Sequence, residues 1–163
     1  VSQVLRPDAG GVIELDLRRG ERARFALVPF LSQRGIVRAD DLMAGDATGQ
    51  QQKYADRYRK IVEALSRPMR DDMVNILIAH TYVDRSLSGG GERAAHLGSD
   101  YAVAASVFPT VAHYVALGHL HRPQRIEGPT QIHYAGSPLQ LDFGEVAAAP
   151  QTSSVRSTPT TGA

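Results

Sequence analysis

The chain has 163 residues, is 42% hydrophobic and 21% charged, and carries a formal net charge of +1. That length is enough for one domain with its own core, and the near-neutral balance argues against gripping nucleic acid through a broad basic surface, while leaving a local groove open. The absence of cysteine excludes disulfides, thiolate metal sites and cysteine nucleophiles.

Lack of cysteine fits a cytoplasmic enzyme, among many other proteins. No apolar run approaches the ~18 residues of a membrane-crossing helix, and no signal peptide is visible. The chain opens on Val1 and its first methionine is Met43, which reads as a fragment or a processed product.

Residues 1–10 carry no clear period. Gly11–Leu17 alternates polar and apolar side chains, the mark of a half-buried strand. Arg18–Glu21 reads as a turn, and Ala23–Phe30 as a second strand stopped by Pro29, so the two form a hairpin. Leu31–Gly49 is polar and glycine-bearing and is expected to be mostly loop. Gln50–Arg67 is the strongest helix: Tyr54, Tyr58, Ile61, Val62 and Leu65 recur at spacings of three and four, and Pro68 ends it. The two tyrosines are expected in the core rather than as a base-stacking platform.

Val74–Ala79 is a nearly continuous apolar run, expected as a central strand covered on both faces. His80 stands at its carboxyl end, either as a structural histidine or as a ligand. Thr81–Tyr101, with Gly89-Gly90-Gly91 and His96, is expected as a long loop. Its glycines lack the Lys-Ser/Thr of a P-loop. Ser106–His113 reads as a short helix with Pro109 in its first turn and His113 on its surface. Gln124–Glu127 and Gln131–Tyr134 flank Gly128-Pro129 in a hairpin pattern, with His133 facing outward. Gly136-Ser137-Pro138 turns into a last short strand, Leu139–Phe143. From Val146 the chain carries one charge and almost no large apolar residue, so residues 146–163 are expected to be disordered.

The stretch of greatest chemical interest is Tyr114–His121. Tyr114–Leu117 reads as a buried strand, and Gly118 frees the backbone to leave it. His119 and His121 follow one residue apart. In extended backbone such a pair faces one side, with Leu120 turned inward. Neutral imidazole is the commonest side-chain metal ligand, and the ends of buried strands are where α/β folds build sites. The alternative is a pair of satisfied surface histidines.

His80 after its apolar run, then Gly118-His119-Leu120-His121-Arg122-Pro123-Gln124, then Tyr134-Ala135-Gly136-Ser137-Pro138-Leu139-Gln140-Leu141-Asp142-Phe143-Gly144-Glu145 together resemble the SbcD-type nucleases. These are the nuclease subunits of the bacterial SbcCD DNA-repair complex, within the calcineurin-like metallophosphoesterases. The resemblance covers most of residues 1–145. It implies a mixed α/β fold of two packed mixed sheets flanked by helices, here as a partial domain over residues 1–145. It also implies two divalent metal ions, manganese foremost with magnesium or iron as alternatives, His80 and His119 on one ion and His121 on the other. Histidine with carboxylate suits such metals, and two ions ~4 Å apart activate water for phosphodiester hydrolysis. The implied partners are DNA, an SbcC-type ATPase subunit and a second copy of the nuclease subunit, with no membrane. Arg122 and Arg125 become candidates for phosphate contact, the alternative being a solvated rim.

The family's earlier motifs, Asp-x-His, Gly-Asp and Gly-Asn-His-Asp, have no counterpart here. They supply the bridging aspartate and the histidine thought to protonate the leaving group, so no catalytic residue is identifiable and the chain alone is expected to be inactive. Two other readings remain: a different phosphoesterase of the superfamily, or a non-catalytic remnant.

Overall fold

The computed structural model describes residues 7–18, 20–32, 36, 47–89, 101–139 and 154. The expected strand Leu139–Phe143 beyond its first residue, His96, and all of the expected disordered tail except Ser154 lie outside the described residues.

Strand β1 (Val12–Asp16) and strand β2 (Arg22–Val28) form the expected antiparallel hairpin. Leu17 N–H donates to Glu21 C=O at 2.7 Å across the turn, and Gly20 sits at φ +81°, a backbone state that glycine adopts without strain. Helix α1 (Ala47–Ser66) follows, beginning a little before the expected Gln50. It leads to strand β3 (Val74–His80), which lies parallel to β2.

Strand β4 (Tyr82–Val83), inside the expected loop, pairs in parallel with strand β5 (Ala102–Val103), just beyond its end. The expected helix over Ser106–His113 is absent. A single 3-10 turn spans Ala105–Val107 instead. Proline disfavours helical backbone in the residue before it, and Phe108, preceding Pro109, is extended at φ −81° and ψ 135°. Strands β6 (Tyr114–Gly118), β7 (Gln124–Ile126) and β8 (Gln131–Tyr134) complete the described elements.

The larger sheet has the order β1-β2-β3-β6-β8-β7. Its four inner strands run parallel, and an antiparallel strand closes each edge. The fold is thus mixed α/β, with a mixed sheet as expected. Alternation along the strands sorts residues to two faces. One face carries Ala26 and Val28, Leu77 and Ala79, Val115 and Leu117, and Ile132 and Tyr134, all buried. These form one core cluster with Tyr54, Tyr58, Val62 and Leu65 of α1. The tyrosines are core residues, as expected, and Tyr54 Oη donates to Leu31 C=O at 3.1 Å.

The opposite face differs from expectation. Ile78 of β3 is 42% exposed, as is Ile13 of β1, and Leu15 is 50% exposed. Among the described residues, this face of β3 is covered at Val74, partly at Ile76, and open at Ile78. An apolar run signals a strand, but says nothing of whether both faces find partners within the same segment.

Candidate metal centre at the carboxyl ends of β3 and β6

Parallel pairing of β3 with β6 sets His80 opposite Gly118. His80 is the last residue of its strand, and His119 follows the last residue of the other. The register alone therefore delivers two imidazoles, 39 residues apart in sequence, to one edge of the sheet. His80 Nε2 lies 3.3 Å from His119 Nδ1, with ring centroids 5.2 Å apart and planes at 79°.

Gly118 makes room for this arrangement. A Cβ there would lie 3.0 Å from His80 Nδ1, so any larger residue would push the ring. Gly118 stays within the strand, and the residue that leaves it in an unusual conformation is His119, at φ +108°. Such a backbone state is uncommon for a residue bearing a Cβ and is often found at functional sites. It also removes the extended backbone from which His119 and His121 were expected to face one side. Leu120 is buried at 2% exposure, as expected. Among the described residues, no group of three or more histidine, cysteine or carboxylate side chains is gathered in a metal-holding arrangement. The structure thus brings His80 and His119 together, with His121 on the loop that follows.

Phe30 walls the pair. Its ring stacks on His119 at 5.6 Å and 11° and meets His80 edge-on at 6.0 Å and 88°. It also stacks on Tyr101 at 5.9 Å. The sequence reading put Phe30 at the end of its second strand and gave no signal that this strand lies beside the one ending in His80. Burial lowers the pKa of His80, and the positive charge that His119 would carry lowers it further. Both favour the neutral imidazole that a metal needs. A cleft of about 410 Å³ opens beside His80, lined also by Gly10, Leu27, Pro29, Ile78 and Gly118.

Other predicted site residues lie close in sequence. Arg122 and Arg125 are exposed, and neither forms an ion pair among the described residues. His113 is structural and half-buried: its Nδ1 accepts from Asn75 N–H at 3.0 Å, and its backbone N–H donates to Asn75 C=O at 2.9 Å. His133, expected outward, is half-buried, with its Nε2 enclosed and its ring 5.4 Å from Tyr114. Tyr134, in the core, has its phenol pushed up to about 12, chiefly by burial. It therefore stays protonated at neutral pH, and its O–H donates a hydrogen bond to Thr81 C=O at 2.7 Å.

No protein-family model matches the chain. Curated relatives do, among them two that are each the SbcD component of an SbcCD nuclease. Over 107 residues, 65% of this chain, it is 39% identical to the protein from Bacillus subtilis (strain 168). Over 140 residues, 83% of this chain, it is 34% identical to the protein from Rhodobacter capsulatus. These matches span 27% and 34% of the relatives' own lengths, so the chain corresponds to about a third of such a protein. A mixed sheet with paired histidines at its carboxyl edge, together with these two matches, makes the chain an SbcD-like segment.

Proposed function

We propose that the chain is part of a metal-dependent DNA nuclease of the SbcCD type, supplying some of the ligands of a two-metal phosphodiesterase centre. One observation carries the reading: the His80 Nε2 to His119 Nδ1 separation of 3.3 Å. Two nitrogens each ~2.1 Å from one cation stand ~3.0 Å apart at an octahedral angle and ~3.4 Å apart at a tetrahedral one, which brackets this separation. Paired imidazoles suit iron, and manganese once carboxylate oxygens join them, while the absence of cysteine leaves no thiolate to select a softer metal.

In this reading His80 and His119 hold one ion, and His121 contributes to the second. When bound, the ions supply an activated water and neutralise charge on the phosphodiester. The chain's own residues do the rest. Gly118 leaves space for the His80 ring, Phe30 fixes the plane of His119, and the partly buried surroundings keep His80 neutral. Arg122 and Arg125, exposed just beyond the histidines, are available to phosphate oxygens. The implied partners are DNA, an SbcC-type ATPase subunit and a second nuclease subunit. Among the described residues, no helix is long and apolar enough to cross a membrane.

Two gathered nitrogens do not complete a metal sphere, and no carboxylate joins them among the described residues. The described residues are accordingly read as part of such a centre, incomplete by themselves. The test belongs in a full-length SbcD-type protein carrying this segment. There His119→Ala is expected to abolish manganese-dependent cleavage of DNA, and near-normal cleavage would refute the assignment.

A further inference from the structure

The segment that leaves His80 does not run free. It is tied at two points to the hairpin of β7 and β8. Tyr134 Oη accepts from Val83 N–H at 3.0 Å and donates to Thr81 C=O at 2.7 Å. Further on, Gln124 Oε1 accepts from Leu87 N–H at 2.9 Å, and its Nε2 donates to Leu87 C=O at 2.7 Å. The same Nε2 donates to Arg122 C=O at 3.1 Å. Gln124 and Tyr134 are register partners across the hairpin, so one cross-strand pair holds both ends of the segment 81–87.

The Gln124 contact is unusual in form. A side-chain amide engages both the N–H and the C=O of one residue, as a neighbouring strand would. Glutamine offers a donor and an acceptor at that reach, whereas ionised glutamate offers acceptors only. The clamp also closes on the histidine loop. A Cβ at Gly89 would stand 2.8 Å from Arg122 N and 3.0 Å from the carbonyl carbon of His121. On the other side, Ser137 N–H donates to His121 C=O at 3.0 Å. The backbone of His121 and Arg122 is thus enclosed between two segments, one of them held by Gln124.

We infer that Gln124 is a positioning residue, whose side-chain amide sets the placement of the His121–Arg122 loop against the segment that follows His80. The value of that placement for catalysis rests on the nuclease reading above, but the clamp does not.

The test is amide hydrogen exchange and imidazole NMR on the full chain, comparing the wild type with Gln124→Ala and Gln124→Glu. In Gln124→Ala, Leu87 N–H should exchange about tenfold faster, as loss of its acceptor implies. Leu77 N–H, in the middle of β3, should be unchanged, and the His121 ring signals should shift. Gln124→Glu keeps an acceptor for Leu87 N–H and loses both donations. It should retain Leu87 protection while the His121 signals still move, and this variant decides the matter if the alanine form does not fold. Unmoved His121 signals overturn the proposal, as does unchanged Leu87 exchange in Gln124→Ala or equal acceleration at Leu87 and Leu77. No metal or DNA enters the measurement, so a failed nuclease reading would leave its outcome intact.

Discussion

His80 shows how a single residue acquires its properties from long-range placement. Its imidazole stands where a side chain on Gly118 would crowd it, edge-on to Phe30 and with Nε2 3.3 Å from His119 Nδ1. Desolvation and the neighbouring imidazole both lower its pKa from the ordinary 6.5. The folded state therefore binds this proton less readily than the unfolded chain does. The His80 contribution to stability is fully present above pH 6.5, and is lost as pH falls below that value towards the lowered pKa. Urea denaturation from about pH 7.5 down to about 5.0 should show stability falling with acidification. His80→Phe should flatten that slope, and an unchanged slope would mean that other groups set it. The sequence showed His80 and His119 as candidates because each stands at the end of an apolar run, and His121 because it follows His119 by two residues. Their spacing alone did not show which of them meet; the family resemblance implied that His80 and His119 do, and the structure brings those two together. That depended on the parallel register placing His80 opposite Gly118, and on a left-handed backbone at His119 that no local spacing signals.

At the scale of elements, legibility followed period. The helix was readable because Tyr54, Tyr58, Ile61, Val62 and Leu65 repeat over about three turns, and all of them except Ile61 are buried in the core. Both hairpins were readable because turn residues separate short runs. Ser106–His113 reads as a helix only while its apolar content is weighed without the constraint that Pro109 places on Phe108. Strands β4 and β5 were missed because each has two residues and exists only through the other. Tyr58 of α1 tests the packing account directly. Its ring is fully buried, while its hydroxyl has no hydrogen-bond partner among the described residues. Tyr58→Ala should cost about 3–5 kcal/mol by leaving a cavity. Tyr58→Phe should cost less than about 1 kcal/mol, because it removes a buried group that gains little from its surroundings. Equal losses in chemical denaturation would place the energy in the hydroxyl instead.

For the whole molecule, the sheet has one face packed against α1 and the other lined in part by exposed Ile13, Leu15 and Ile78. The candidate centre lies at the carboxyl edge where these faces meet the loops, the usual position for sites in parallel sheets. With two gathered nitrogen donors, the chain is expected to bind manganese weakly and in fast exchange. Paramagnetic broadening reads such binding without requiring tightness. The central claim is that His80 and His119 hold one cation together. It is tested most directly by titrating the chain with manganese and following its imidazole NMR signals. The account predicts that the His80 and His119 rings broaden first and together, while His113, hydrogen-bonded to Asn75 at the far end of the same strands, stays sharp. If His80 and His119 remain sharp while other side chains broaden, the pair is not a metal site and the account is contradicted.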